Sequence, residues 1–563
     1  MQDRGYTTLT QALSHTAGLS FTRNGGLGGN SAVYLRGLDS KNTLVLIDGI
    51  RYNDVSSLSG APYANLMLEN IAQIEVIKGA QSGIWGADAS AGVINIISKK
   101  ATQGFGGSAH IEMGSFSTQK YGASLSQKTD AYSLKVSHNV IDTDGFTAQA
   151  PKGEDLDNFE DDGYTNKTTQ IQAGITINQN NKIDISYTLI DTQGQYDTFE
   201  NPNALATYES KNYFTSINYN HIDSFHEFNL YAKRSSFAKT FKTDFSTDDF
   251  DGKVDELGFN SKIAYGDAHF LLLGAEYKKF EHDNAINQDF DNQGLFITNH
   301  NVFAGFMGGK TIFTQSLRYD AYSSFDNELT GKIGLKHIHA KIAGLVTSIN
   351  YGTAYTVPTL YQLYAPASSF GGVSYPVGNV NLQAETTKSY DITIAYKDLS
   401  VSYFNNNIDN LIQYTSGYNN VKGTSKIDGI EATYAYSLSD SLLLNMNYTH
   451  LFTAQDQEGN LLLRRAKDTF NIALDYYASS DLHLGIDASY IGDRTDIIFN
   501  PDFSTSDTQT GNYTLVNFTV DYQINDALQI YAKIENLGDI KYQTVYDYTS
   551  SPRAFYGGLR ATF

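Results

Sequence analysis

Cysteine is absent from all 563 residues, which excludes a disulfide framework, a thiolate metal site and a cysteine nucleophile. Long apolar runs are missing too. No segment approaches the ~20 consecutive apolar residues that a membrane-spanning helix needs, and the mean hydropathy is -0.34. A helical membrane protein is therefore excluded. A membrane β-barrel is not, because alternating strands cancel in a hydropathy average. Basic charge is scarce: 40 Lys and Arg against 61 Asp and Glu leave a net charge of -21. Phosphate repulsion then argues against a nucleic-acid partner. Catalytic signatures are lacking as well, since the 12 His form no HExxH and no GxSxG is present. The chain does not read as an enzyme. The opening Met1-Gln2-Asp3-Arg4-Gly5-Tyr6 lacks the charged start and apolar core of an export signal. An exported protein with this start is expected to be truncated or to begin at an internal Met.

Tyrosine and phenylalanine are abundant, 40 and 31 residues against one Trp, and tyrosine suits a bilayer interface with its apolar ring and polar tip. From about Phe105 the chain alternates with a period of two. Leu482, Leu484, Ile486, Ala488 and Tyr490 fall on one face, with His483, Gly485, Asp487 and Ser489 on the other. Ser441–Thr449 and Ala527–Glu535 repeat the pattern. A soluble Tyr-rich β-solenoid or sandwich would alternate also. Repetition over more than 400 residues, with no helical segment to cover the apolar faces, favours a barrel in lipid. Tight polar turns near Thr129, Asn180, Asp223, Asp267, Gly309, His339, Asp398, Asp440, Ser480 and Asp526 mark eleven hairpins. The reading is a mainly β fold, a 22-stranded antiparallel transmembrane barrel over 105–563, with an N-terminal α+β domain over 1–104. At the terminus, Phe555, Leu559 and Phe563 share one face.

Residues Val33 to Lys100 differ from the rest. Three short strands, Thr43–Ile47, Ile71–Lys78 and Gly92–Ser98, are separated by glycine-rich turns, and Thr7–Ser14 reads as a short helix. Leu35-Arg36-Gly37, Val45-Leu46-Ile47-Asp48-Gly49, Ile74-Glu75-Val76-Ile77-Lys78-Gly79 and the run from Gly86 to Ile96 stand in order within ~70 residues, a far more specific signal than one short motif. Together they resemble the plug domain of TonB-dependent outer-membrane receptors. That resemblance implies a plug inside the lumen, a Gram-negative outer-membrane location, a small-molecule ligand and a TonB energy-transducing complex as partner. A monomer surrounded by outer-membrane lipid is expected, with no covalent cofactor. The short TonB box expected ahead of the plug is not seen.

Two acidic stretches stand out. One, Glu154 to Gly163, contains Asp155, Asp157, Glu160 and Asp162; the other, Asp244 to Glu256, contains Asp244, Asp251 and Asp255. Carboxylates brought together repel unless a hard cation takes their oxygens, and calcium fits that description. Neither stretch matches the EF-hand template, and solvated acidic loops are the alternative reading. Within the family the chain is most similar to the cobalamin-transporter branch, through these loops and through Leu462-Leu463-Arg464-Arg465-Ala466-Lys467. Thr147 stands where that branch leads one to expect a further ligand, which leaves the number of ions open. The resemblance places substrate contacts on the plug loops Asn24–Ser31 (Asn24, Gly25, Gly28, Asn30) and Val55–Ala61 (Ser56, Ser57, Ser59). Arg494 is a candidate donor from the barrel, or else a rim arginine. It also implies that Arg36 and Lys78 pair with inward barrel carboxylates, which alternation assigns to Asp391 and Glu431. The function implied is TonB-dependent uptake of cobalamin or a related corrinoid. Ferric-siderophore uptake on the same fold, and a passive porin or adhesin, are the alternatives.

Overall fold

The alternation that starts near residue 105 closes on itself. A computed structural model describes all residues except 1–3, 199–200, 285, 371–372 and 501–503, so Met1–Asp3 at the start of the chain lie outside it. Among the described residues, 22 antiparallel strands form one closed barrel, from Gly104–Gly114 round to Ala554–Thr562. The last strand pairs with the first in register, Tyr556 opposite Gly114 and Thr562 opposite Ser108. Closure is what lipid demands, because an unpaired strand edge has no water there to satisfy its N–H and C=O groups.

The two faces divide as the pattern requires. Ile486, Tyr490, Phe555 and Leu559 point outward, whereas His483 and Asp487 are buried toward the lumen. One set of connections is short: Asp267-Ala268, Lys397-Asp398, Asp440-Ser441 and Asp526-Ala527 each join two strands directly. Strand length is uneven. Leu528–Glu535 has 8 residues and Asn201–Ile222 has 22. About 9–11 residues suffice to span the bilayer, so the longest strands rise well past it.

The N-terminal segment fills the bore. Helix Leu9–Ser14 carries a capping box, Thr8 accepting from Gln11 N–H while the Gln11 side chain accepts from Thr8 N–H. Leu19–Arg23 pairs with Ser31–Leu35, and a four-stranded sheet runs Ile50–Arg51, Thr43–Ile47, Gly92–Ser98, Ile71–Lys78. Thr43–Ile47 and Gly92–Ser98 are parallel. Val45, Ile94 and Ile96 are fully buried, and their apolar core continues into Phe214, Phe237, Phe404 and Ile427 of the barrel wall. Plug and barrel thus share one core on that side.

Charge holds the rest. Arg36 Nε donates to Glu431 Oε1 at 2.9 Å and Lys78 Nζ to Glu431 Oε2 at 2.8 Å, while the Arg36 guanidinium lies 4.9 Å from the Phe404 ring centre. Gly18 passes directly over this carboxylate with φ +77, and a Cβ there would overlap Glu431. The expectation that Asp391 pairs directly in the lock is corrected: among the described residues its carboxylate accepts from the Asn350 amide at 3.4 Å, and its charge acts on Lys78 only through space. Its shorter arm stays on the wall, and Glu431 alone reaches both cations. Elsewhere Lys41 meets Glu385 at 2.7 Å and Arg465, 3.3 Å from Asp39, also donates to Gly37 O at 2.9 Å. Arg465 belongs to the Leu462–Lys467 motif, so that motif clamps a plug turn.

Breaking a buried pair on one side costs about 3–5 kcal/mol, because the remaining charge stays buried and unpaired. Glu431→Gln is expected to lower the unfolding temperature and raise ion conductance in planar bilayers, whereas Asp391→Asn has a much smaller effect on both. Equal effects of the two substitutions would contradict the shared-carboxylate lock.

Candidate functional site

At the end of the barrel away from the short turns, the plug loops leave a cavity of about 270 Å³ against the wall. Asn24, Gly28 and Asn30 line it from one plug loop and Ser57 and Ser59 from the other. Gly25 and Ser56 do not. Gly25 packs on Ala148, and Ser56 turns inward, its N–H and hydroxyl donating to Asp54 at 2.8 and 2.7 Å. The position of Gly28 shows why the loop is glycine-rich. Its φ is +81, and a Cβ would run into the Tyr164 ring and the Tyr208 hydroxyl. Tyr208 donates to Gly28 O at 2.8 Å, pinning the loop to the barrel.

The wall side is aromatic. Tyr196, Tyr208 and Phe241 sit with ring centres 6.1–6.5 Å apart, an arrangement that presents ring faces and edges to a flat apolar ligand. These three were not singled out from sequence, where they are simply members of a Tyr- and Phe-rich chain.

Arg494 is corrected outright. It is 1% exposed and spends its donors on the protein: Nη1 to Phe21 O at 3.3 Å, Nη2 to Gln543 O at 3.2 Å and Nε to Thr510 Oγ1 at 3.1 Å. It ties a plug strand to an outer loop and cannot meet a ligand.

The acidic residues separate into two groups. Glu160 and Asp162 come together with Asp197, one oxygen from each lying within 4.8 Å of the others. Glu160 Oε1 and Asp162 Oδ1 are buried without a hydrogen-bond partner. Burial first, and then the Asp197 and Glu160 charges, push the Asp162 carboxyl up to about 8 despite a hydrogen bond from Ala148 N–H. Burial together with Asp197 and Asp161 raises Glu160 as well. Asp197 escaped the sequence reading because a bulge between Tyr196 and Thr198 turns it inward, out of step with its strand. Thr147, buried beneath, has its hydroxyl 3.1 Å from Asp197 Oδ2, and Gln149 N–H donates to the same oxygen at 2.8 Å. Thr147 therefore orients Asp197 within the cluster.

The other predicted cation ligands lie elsewhere. Asp155 caps the short turn Leu156–Asn158 by accepting from Asp157 N–H, and Asp157 is exposed. The second acidic stretch is no loop: Thr247–Gly266 is a continuous strand paired with His226–Lys242, leaving Asp244 in a tight exposed turn. Pleating places Val254 against the plug, so Asp251 and Asp255 face outward. Asp255 accepts from Arg234 at 2.6 and 2.7 Å and Asp251 from Asn284.

A closed lipid-facing barrel, stoppered from within and cupped at one end around a cavity, defines a gated outer-membrane transporter. Comparison with known proteins agrees. Residues 106–537 match the family described as "TonB dependent receptor-like, beta-barrel", and residues 1–93 match the "TonB-dependent Receptor Plug Domain". The chain belongs to the TonB-dependent receptor family. It resides in the outer membrane of a Gram-negative bacterium, binds a small-molecule ligand, interacts with TonB and transports rather than catalyses. The vitamin B12 transporter BtuB of Vibrio cholerae is 26% identical over 98% of this chain and 88% of its own length. Among solved structures, a variant of the ferric enterobactin receptor PfeA of Pseudomonas aeruginosa in complex with enterobactin superposes with a TM-score of 0.84 at 19% identity, covering 100% of this chain and 98% of that one. The siderophore receptor PirA of Acinetobacter baumannii gives 0.83 at 16%, covering 99% and 96%.

Loss of the buried Arg494 contacts leaves backbone carbonyls of plug and loop without donors, at about 1–3 kcal/mol each. Arg494→Gln is expected to lower the calorimetric unfolding temperature. An unchanged transition would show that these contacts carry no stability.

Proposed function

We propose that the protein takes up cobalamin or a related corrinoid across the outer membrane, driven through TonB. The observation that carries this reading is the chemistry of the cavity. Backbone-rich Gly, Asn and Ser loops face the Tyr196–Tyr208–Phe241 wall, and the polar charge is predominantly acidic: Asp54, Asp162 and Asp197 against Lys239. A corrin ring edged with amides suits such a surface, with ring contacts on one side and backbone hydrogen bonds on the other. A ferric tris-catecholate carries three negative charges, and this cavity offers it one basic side chain, Lys239, which is already paired with Asp54. The relationship to BtuB supports the reading; the likeness to siderophore receptors speaks to fold.

Titration calorimetry on the detergent-purified protein is expected to give submicromolar binding of cyanocobalamin and no measurable binding of ferric enterobactin. The reverse order of affinities would replace this reading with iron-chelate uptake.

The reading extends to a calcium ion held by Glu160, Asp162 and Asp197. The unpartnered, buried oxygens of Glu160 and Asp162, beside the Asp197 carboxylate, are the feature that fits a hard cation, which neutralises three facing carboxylates and takes the lone pairs the protein leaves unused. Calcium at a hundredfold excess over its Kd stabilises by about 2.7 kcal/mol. Chelation is therefore expected to lower the unfolding temperature of the wild type, and an Asp162→Asn variant should no longer respond. A wild type indifferent to calcium would refute the assignment.

A further inference from the structure

Lys239 is the only basic side chain among the described residues lining the ligand cavity. It stands on the barrel strand His226–Lys242 and reaches across to the plug, where its Nζ lies 2.5 Å from Asp54 Oδ2. Asp54 is 4% exposed and is itself the organiser of the plug loop Val55–Ala61, the apex loop. Its Oδ1 accepts from the Ser56 N–H and hydroxyl, its N–H donates to Gly60 O at 3.1 Å, and Ser57 N–H donates to Asp54 O at 3.2 Å. One carboxylate thus shapes the loop that presents Ser57 and Ser59 to the cavity.

An ammonium has three donors. Asp54 is the one partner the structure gives Lys239 among the described residues, which leaves two N–H groups for a ligand. The side chain remains 17% exposed beside a fully engaged Asp54. Around it, the other charged groups on the cavity wall, Asp162 and Asp197, are acidic. A ligand that brings a single negative charge into this cavity therefore meets one complementary group.

We propose that Lys239 is the specificity-determining residue that receives the phosphodiester of the ligand, and that by sharing its ammonium between that phosphodiester and Asp54 it ties ligand occupancy to the plug apex loop. This rests on the corrinoid reading above and deepens it. Among corrinoids, cobalamin carries one phosphodiester in its nucleotide loop, and cobinamide lacks that loop. Charge-assisted hydrogen bonds to an ammonium are about twice as strong as neutral ones, and they favour the former ligand.

The test compares cyanocobalamin and dicyanocobinamide on the full protein by titration calorimetry, with and without EDTA. Lys239→Met is expected to weaken cobalamin binding about tenfold and to leave cobinamide within about twofold, the signature of one lost charge-assisted contact. Unchanged cobinamide binding also reports that the variant is folded and its apex loop intact. Lys239→Arg, which keeps the charge, is expected to keep the preference for cobalamin. Equal losses for both corrinoids would reduce Lys239 to a support for the loop and overturn the assignment. So would a preference that survives Lys239→Met but disappears with EDTA, which would put the phosphodiester on a bound cation instead. A wild type that binds cobinamide as tightly as cobalamin overturns it also, while leaving the corrinoid reading standing. A wild type that binds neither overturns both.

Discussion

Every backbone N–H and C=O that crosses a bilayer has to find its partner within the protein, and that constraint organises this molecule. The ladder has no loose end in lipid because Ala554–Thr562 returns to Gly104–Gly114. Once the ring is closed, each strand must show lipid one face and the lumen the other. The period-two pattern of the chain follows from it, and so does a bore lined with polar groups. A 22-stranded bore is too wide for its own side chains to fill. The N-terminal hundred residues occupy it.

Two kinds of contact hold that plug, and they act differently. On one side Val45, Ile94 and Ile96 share an apolar core with Phe214, Phe237 and Phe404, a non-directional attachment that tolerates small displacements. Elsewhere the plug is held by ions at defined points: Glu431 beneath Arg36 and Lys78, Glu385 beneath Lys41, Asp54 beneath Lys239. Buried pairs of this sort fix register more than they stabilise. They suit a part that must sit in one place at rest. Lys239–Asp54 differs from the others in standing at the wall of the cavity beside the plug loops.

The acidic site shows how local geometry redistributes function among similar residues. Seven carboxylates were candidates from sequence, and two of them, Glu160 and Asp162, enter the cluster. Asp251 and Asp255 follow the pleat of an extended strand to the outer surface, where Asn284 and Arg234 meet them. Asp197 was unmarked in the sequence, and a one-residue bulge brings it in. Arg494 likewise resembled a ligand donor until its fork was seen filled by Phe21, Gln543 and Thr510.

What the sequence determined alone was everything that repeats. Alternation gave the face of each strand, polar turns gave the number of hairpins, and ordered short motifs gave the plug, since these depend on neighbours one to four residues away. Arg36, Lys78 and Glu431 were legible as lock residues through the family motif and the inward phase of their strands. Tertiary structure decided which carboxylate both cations reach, since Arg36 and Glu431 are 395 residues apart. It also decided where a strand slips phase and whether an arginine's donors are already taken. Those outcomes turn on distances between segments remote in the chain, and no local pattern of residues encodes them.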